Sequence, residues 1–154
     1  MTAPARLLAI YLRPSSRTPV KRVQEAEAVA GHGLVGDHTK GGRRQVTLIS
    51  REAWAEACDA LGMPSCELDA ASRRANLLVE GVDVTALPRG TLLRIGGVGL
   101  QVEGETHPCQ LMDDMHLGLW DALKPRQRGG HFARILVGGP LRVGDRVELA
   151  TPAP

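Results

Sequence analysis

Hydrophobic positions along this chain fall into many short runs broken by glycine, proline and polar clusters, with only two stretches that repeat at a helical period. Ala5 to Arg13 is a run of Leu, Ile, Ala and Tyr that stops at Pro14 and the cluster Ser15, Ser16, Thr18 and Pro19, as a strand bounded by turn chemistry does. Glu25 to Arg44 interleaves Gly31, Gly33, Gly36, Gly41 and Gly42 with His32, Asp37, His38, Lys40, Arg43 and Arg44, and is expected to be a polar loop. Gln45 to Ile49 alternates as a strand. Ser50 then offers an N-cap to a helix that carries Glu52 in its first turn. In that helix Trp54, Cys58 and Leu61 lie at i, i+4 and i+7, which assigns Cys58 to the core, and the helix should end near Gly62.

Beyond Asn76, Leu77-Leu78-Val79 and the pair Val82 and Val84 read as short strands around Gly81, and Pro88-Arg89-Gly90 as a turn. Thr91 to Ile95 and Val98 to Glu103 flank Gly96-Gly97, the pattern of a hairpin with a two-residue turn. Met112, Met115, Leu119 and Leu123 recur at i, i+3, i+7 and i+11, which predicts one helix closed by Pro125. Phe132 to Val137, Leu141 to Val143 and Arg146 to Leu149 are expected strands, separated by turns at Gly138-Gly139-Pro140 and Gly144-Asp145, before a loose tail. Without regular alternation of strand and helix, the pattern favours a mainly β fold, a curled sheet or barrel with a few short helices, over a doubly wound parallel sheet.

Composition narrows the function. A chain of 154 residues with 43% hydrophobic and 23% charged residues is expected to form a single domain, residues 1–154, and is large enough to hold its core without disulfides or a structural metal. A net charge of +2 and only four aromatic residues (Tyr11, Trp54, Trp120 and Phe132) argue against a nucleic-acid partner. No run of eighteen apolar residues and no signal-peptide pattern is present, so no membrane partner is expected. The odd set Cys58, Cys66 and Cys109 fits a reducing, cytoplasmic setting.

Gly31-His32-Gly33-Leu34-Val35-Gly36 matches the dinucleotide-binding pattern only in its letters. The next residues, Asp37 to Gly42, make a poor helix start, whereas the true motif needs a helix to receive the pyrophosphate. The loop with Lys40, Arg43 and Arg44 reads equally as an anion receiver or as a solvated turn. Cys109 follows Pro108 outside any apolar periodicity, which makes it the cysteine expected to react; the alternative is a small bystander. A zinc site or nucleophilic pair with His107, His116, His131 or His32 lacks a ligand-spacing signature. Arg73-Arg74-Ala75-Asn76 reads on its own as a surface charge pair beside a turn-forming Asn.

Taken in order, Gly33-Leu34-Val35-Gly36-Asp37, Arg44 to Ser50, Arg74-Ala75-Asn76-Leu77, Leu87 to Gly90, Pro108-Cys109 and Gly138 to Asp145 resemble the MOSC domain, the carboxy-terminal domain of molybdenum-cofactor sulfurases, over about residues 31–149. The resemblance implies a β-rich, barrel-like fold and a cysteine, here Cys109, that carries sulfur or ligates molybdenum. It further implies that Arg74 and Asn76 contact the pterin phosphate or the metal site, while Asp37 and Arg44 hold the loop lining it. The matching chemistry is a thiophilic metal, a thiolate able to bear a persulfide, and guanidinium partners for a phosphate. A molybdenum-pterin cofactor is thus expected, with a cysteine desulfurase or an electron-donor protein as partner. The desulfurase domain of the sulfurases is not part of the matched stretch, so no pyridoxal phosphate is expected. Two rival functions are a small molybdoenzyme reducing N-hydroxylated compounds and a non-catalytic module binding another phosphorylated ligand.

Overall fold

The computed structural model describes residues 4–63, 69–82, 84 and 87–150. Along the chain run β1 (Arg6–Leu12), β2 (Lys21–Val23), β3 (Glu25–Val29), β4 (Gly33–Leu34), β5 (Val46–Ser50), α1 (Arg51–Ala60), β6 (Leu77–Glu80), β7 (Leu92–Ile95), β8 (Val98–Glu105), α2 (Leu111–Met115), α3 (Leu119–Leu123), β9 (His131–Val137), β10 (Gly139–Arg142) and β11 (Val147–Ala150). Eight strands form one sheet in the order β11-β7-β8-β9-β5-β6-β1-β2, and β10-β3-β4 form a second. Every pairing is antiparallel except β5 with β6. The large sheet curls: Leu7 N–H donates to Asp145 O, Gly144 N–H to Leu7 O and Val147 N–H to Ala5 O, which ties β1 to the chain entering the opposite edge. The fold is mainly β, as the strand pattern predicts.

Alternation explains the main core. In β8 Val98, Leu100 and Val102 point inward and, with Leu7, Ile10, Leu48, Leu77 and Ile95, fill the inside of the curl. All five residues of β5 are buried, because its outer face is covered too. There Ile49 meets Trp54, Ala57 and Cys58 of α1 and Met112, Leu119 and Leu123 of α2 and α3. The N-cap of α1 forms as expected, with Ser50 Oγ accepting from Ala53 N–H at 3.0 Å. The hairpin also forms, with Ile95 opposite Val98 across Gly96-Gly97.

Four expectations need correction. The polar stretch 25–44 contains β3 and β4, paired through Ala28–Leu34 and Val29–Gly33, which its glycine content concealed. Val82 and Val84 lie outside any strand. Gly139 and Pro140 belong to β10 rather than to a turn; β10 is an edge strand, where the missing N–H of Pro140 is tolerated. The single helix over 112–123 is two helices, since Gly118 between them holds φ +90°, a backbone state that interrupts helical hydrogen bonding. Asp113 accepts from Trp120 N–H at 2.9 Å and fixes the start of α3, while Met115, counted in the helical period, is exposed. The expected loose tail lies outside the described residues, as does Cys66.

Candidate functional site

A cavity of about 290 Å³ opens where β1, β5, the turn Ala70–Arg73 and the segment between β8 and α2 meet. Its wall carries Arg13, Ser16, His38, Arg44, Thr47, Arg73, Arg74, Ala75, Thr106, His107, Cys109, Leu111 and Met112. Four guanidiniums and one thiol thus share a wall that, among the described residues, holds no carboxylate.

Each arginine is held differently. Arg13 follows β1 with its side chain folded onto Asp37: Nε and Nη2 donate to the carboxylate at 3.2 and 3.1 Å, and its backbone N–H at 2.7 Å. Arg74 has φ +63°, and this left-handed turn directs its guanidinium to the carbonyls of Thr18, Ser15 and Ser16 at 2.6, 3.1 and 3.4 Å. It thereby pins the loop after β1. Arg73 is buried beneath the cavity, with Nε donating to Gly129 O, Nη2 to Thr106 O, and Nη1 facing Met112 Sδ at 3.7 Å. No carboxylate among the described residues compensates Arg73, so burial first and the Arg44 charge second push its pKa down to about 10. Arg44 makes no hydrogen bond or ion pair among the described residues and faces solvent at the rim. A negative charge on Cys109 would favour the cationic form of both Arg44 and Arg73.

Behind the wall lies a buried polar knot. Asn76, fully buried, donates from Nδ2 to Tyr11 O and Asp37 Oδ1, and its Oδ1 accepts from Thr47 N–H and Thr47 Oγ1–H at 3.0 and 3.1 Å. Thr39 N–H also donates to Asp37 at 3.1 Å. Burial alone would raise the Asp37 pKa, yet the hydrogen bonds and charge of Arg13 outweigh it and hold the carboxyl below its ordinary range.

Of the five residues singled out in the sequence, the structure therefore brings Cys109, Arg44 and Arg74 to one cavity wall. Asp37 and Asn76 stand one layer behind, with their polar atoms engaged by protein. The Arg73–Arg74 pair is buried, not a surface charge pair; its donors reach main-chain carbonyls far away in sequence, which no local pattern reveals. Arg13 escapes sequence reasoning for the same reason, its partner Asp37 being 24 residues away. From the glycine-rich stretch Arg44 and His38 line the cavity, and Lys40 and Arg43 do not. Among the described residues no group of three or more His, Cys, Asp or Glu side chains is arranged to hold a metal.

Cys109 is exposed, whereas Cys58 lies on the buried face of α1 with its thiol pKa raised by burial and by Asp59. Thiol reactivity follows access and thiolate fraction. Iodoacetamide at neutral pH, followed by peptide mapping, is expected to label Cys109 well before Cys58; equal rates would contradict this burial pattern.

The family model of the MOSC domain matches residues 35–148. Among solved structures, YuaD protein from Bacillus subtilis is similar at 21% identity, covering 97% of each chain, with a TM-score of 0.80. YiiM from Geobacillus stearothermophilus is similar at 18% identity over 96% of this chain and 76% of that one, with a TM-score of 0.77. YiiM from Escherichia coli also gives 18% identity, over 99% and 71%, with a TM-score of 0.72. At such identities the likeness is one of fold. No curated protein sequence matches the chain. No helix among the described residues is long and apolar enough to cross a membrane.

Proposed function

This chain belongs to the MOSC domain family, and from that premise we propose that its arginine-lined cavity binds a molybdenum-pterin cofactor, with Cys109 as the protein's sulfur toward the metal. The observation that carries this reading is an exposed thiol on the same wall as four guanidiniums. The donor set suits such a ligand: guanidiniums give charge-assisted hydrogen bonds to phosphate, and a thiolate is a soft ligand for a thiophilic metal. When bound, the group would supply oxygen-atom or electron-transfer chemistry at the metal. Arg44 and Arg73 would hold its anionic part, Cys109 would face the metal, and Arg74 would keep the 15–18 loop in place at the rim. The same thiol could instead bear a persulfide and carry sulfur to a metal-sulfur centre. A cysteine desulfurase fits the sulfur use, an electron-donor protein the redox use.

Arg44 gives a clean test, since no hydrogen bond among the described residues depends on its side chain. Arg44→Ala is expected to weaken cofactor binding by about 1.5–3 kcal/mol, the range for a hydrogen bond to a charged group, with little change in thermal stability. Titration of the extracted cofactor, followed by pterin fluorescence, measures it. Unchanged affinity in Arg44→Ala would remove the rim arginine from the site. Reduction of an N-hydroxylated compound by the loaded protein with a supplied donor would extend the reading to an enzyme.

A further inference from the structure

Within the arginine cluster, donor capacity is unevenly used. Arg13 is committed to Asp37, and Arg74 to three loop carbonyls. Arg44 keeps all five of its N–H donors, and the Nη1 of Arg73 meets only a weakly accepting thioether sulfur. A third group is unsatisfied: Thr106 is 4% exposed, lines the cavity, and its Oγ1 has no hydrogen-bond partner among the described residues. A buried hydroxyl left unpaired is costly, and its residue lines the same cavity as two under-used guanidiniums, a lining suited to an acceptor-rich group. The wall holds no carboxylate, among the described residues, to serve as that group from the protein's side. The same wall carries an exposed thiol.

Together these observations describe a nucleophilic sulfur in one cavity with a receptor for a compact oxyanion. We infer that the cavity accepts a small sulfane-sulfur oxyanion, of which thiosulfate is the simplest, and takes its outer sulfur onto Cys109 as a persulfide. The inference rests on the sulfur-carrying reading of Cys109 and adds the class of donor. The thiol first loses its proton to solvent. The thiolate then attacks the outer sulfur, a new S–S bond forms to Cys109, and the donor's own S–S bond breaks. Sulfite leaves with that bond's electron pair, so no outside oxidant or reductant is needed. Arg44 and Arg73 act on the sulfonate oxygens, whose charge grows as sulfite departs, the place where fixed donors accelerate a reaction most. Transfer of the outer sulfur to an acceptor such as cyanide returns the thiolate and releases thiocyanate.

The test uses the full chain, reduced and then freed of reductant, with thiosulfate as donor. Sulfite release, a one-sulfur mass gain on the Cys109 peptide, and thiocyanate formation on adding cyanide are expected together. Cys109→Ser should abolish all three. Arg44→Ala should lower the rate at sub-saturating thiosulfate by about tenfold or more, chiefly through KM, and Arg44→Lys should recover part of it. No sulfite and no added sulfur on Cys109, in protein whose Cys109 still takes iodoacetamide, would overturn the donor assignment. So would an Arg44→Ala variant that reacts at the wild-type rate. A persulfide on Cys109 in protein from its own host would, in either case, leave the sulfur-carrying reading standing.

Discussion

Replacing Asp37 with alanine is expected to destabilise the protein by about 3–5 kcal/mol, the cost of breaking a buried ion pair and leaving its cation uncompensated. Arg13 and Asp37 are both buried, and the carboxylate also accepts from Asn76, Thr39 and the Arg13 main chain. Removing it takes an acceptor from the Asn76 amide and from two backbone donors at the point where β1, β5 and β6 are joined. Because Arg13 lines the cavity and Asn76 stands behind its wall, the substitution should also loosen the site. Urea unfolding at neutral pH measures the first effect. A loss under about 1 kcal/mol would show that the knot does not hold these strands together.

The same carboxylate sets an acid limit. Its folded pKa lies below the unfolded value of about 4, so its stabilisation is complete above that value and is lost as the pH falls through the folded one. As the pH falls below about 4, the wild type should therefore lose more stability than Asp37→Asn does, since the amide cannot take up the proton. Equal acid-side slopes would contradict this assignment.

The second large effect is functional. On the proposed reading, Cys109→Ser should abolish molybdenum binding and any sulfur loading, yet shift unfolding by no more than about 0.5 kcal/mol, because the residue is exposed. The same exchange at Cys58 should behave oppositely, since it puts a hydroxyl among Trp54, Ala57 and Leu123. Parallel binding and urea measurements on the two variants separate the roles of the two cysteines. Full molybdenum binding by Cys109→Ser would assign the metal to other residues.

What could be read from sequence was what is local. Ser50 and the Trp54–Cys58 spacing specify α1, because cap and period act within a few residues. Gly96-Gly97 between two alternating arms specifies the hairpin for the same reason. Periodicity failed at residues 112–123, where apolar residues fit one helix but Gly118 and the Asp113–Trp120 bond impose a break. Strand β4 was hidden by the glycines around it, and β3 in addition because its other neighbour, β10, comes from a distant part of the chain. In the site, Cys109, Arg44 and Arg74 were legible through the ordered motifs. Their division of labour was not, since Arg73 finds its partners at Thr106 and Gly129, and Arg13 finds its own at Asp37. The placement of Asp37 and Asn76 behind the wall is likewise a product of strand pairing, which brings β1, β5 and β6 side by side.

If the Cys109 cavity is the binding place of a molybdenum-pterin group, protein purified from its own host should carry that group. Elemental analysis for molybdenum, fluorescence of the oxidised pterin and intact mass, each repeated on Cys109→Ser, decide the matter. Molybdenum and pterin in near-equal amounts in the wild type, with the metal absent from the variant, is the predicted result. Wild-type protein that carries neither molybdenum nor pterin, and takes up neither when the extracted cofactor is supplied, would contradict it.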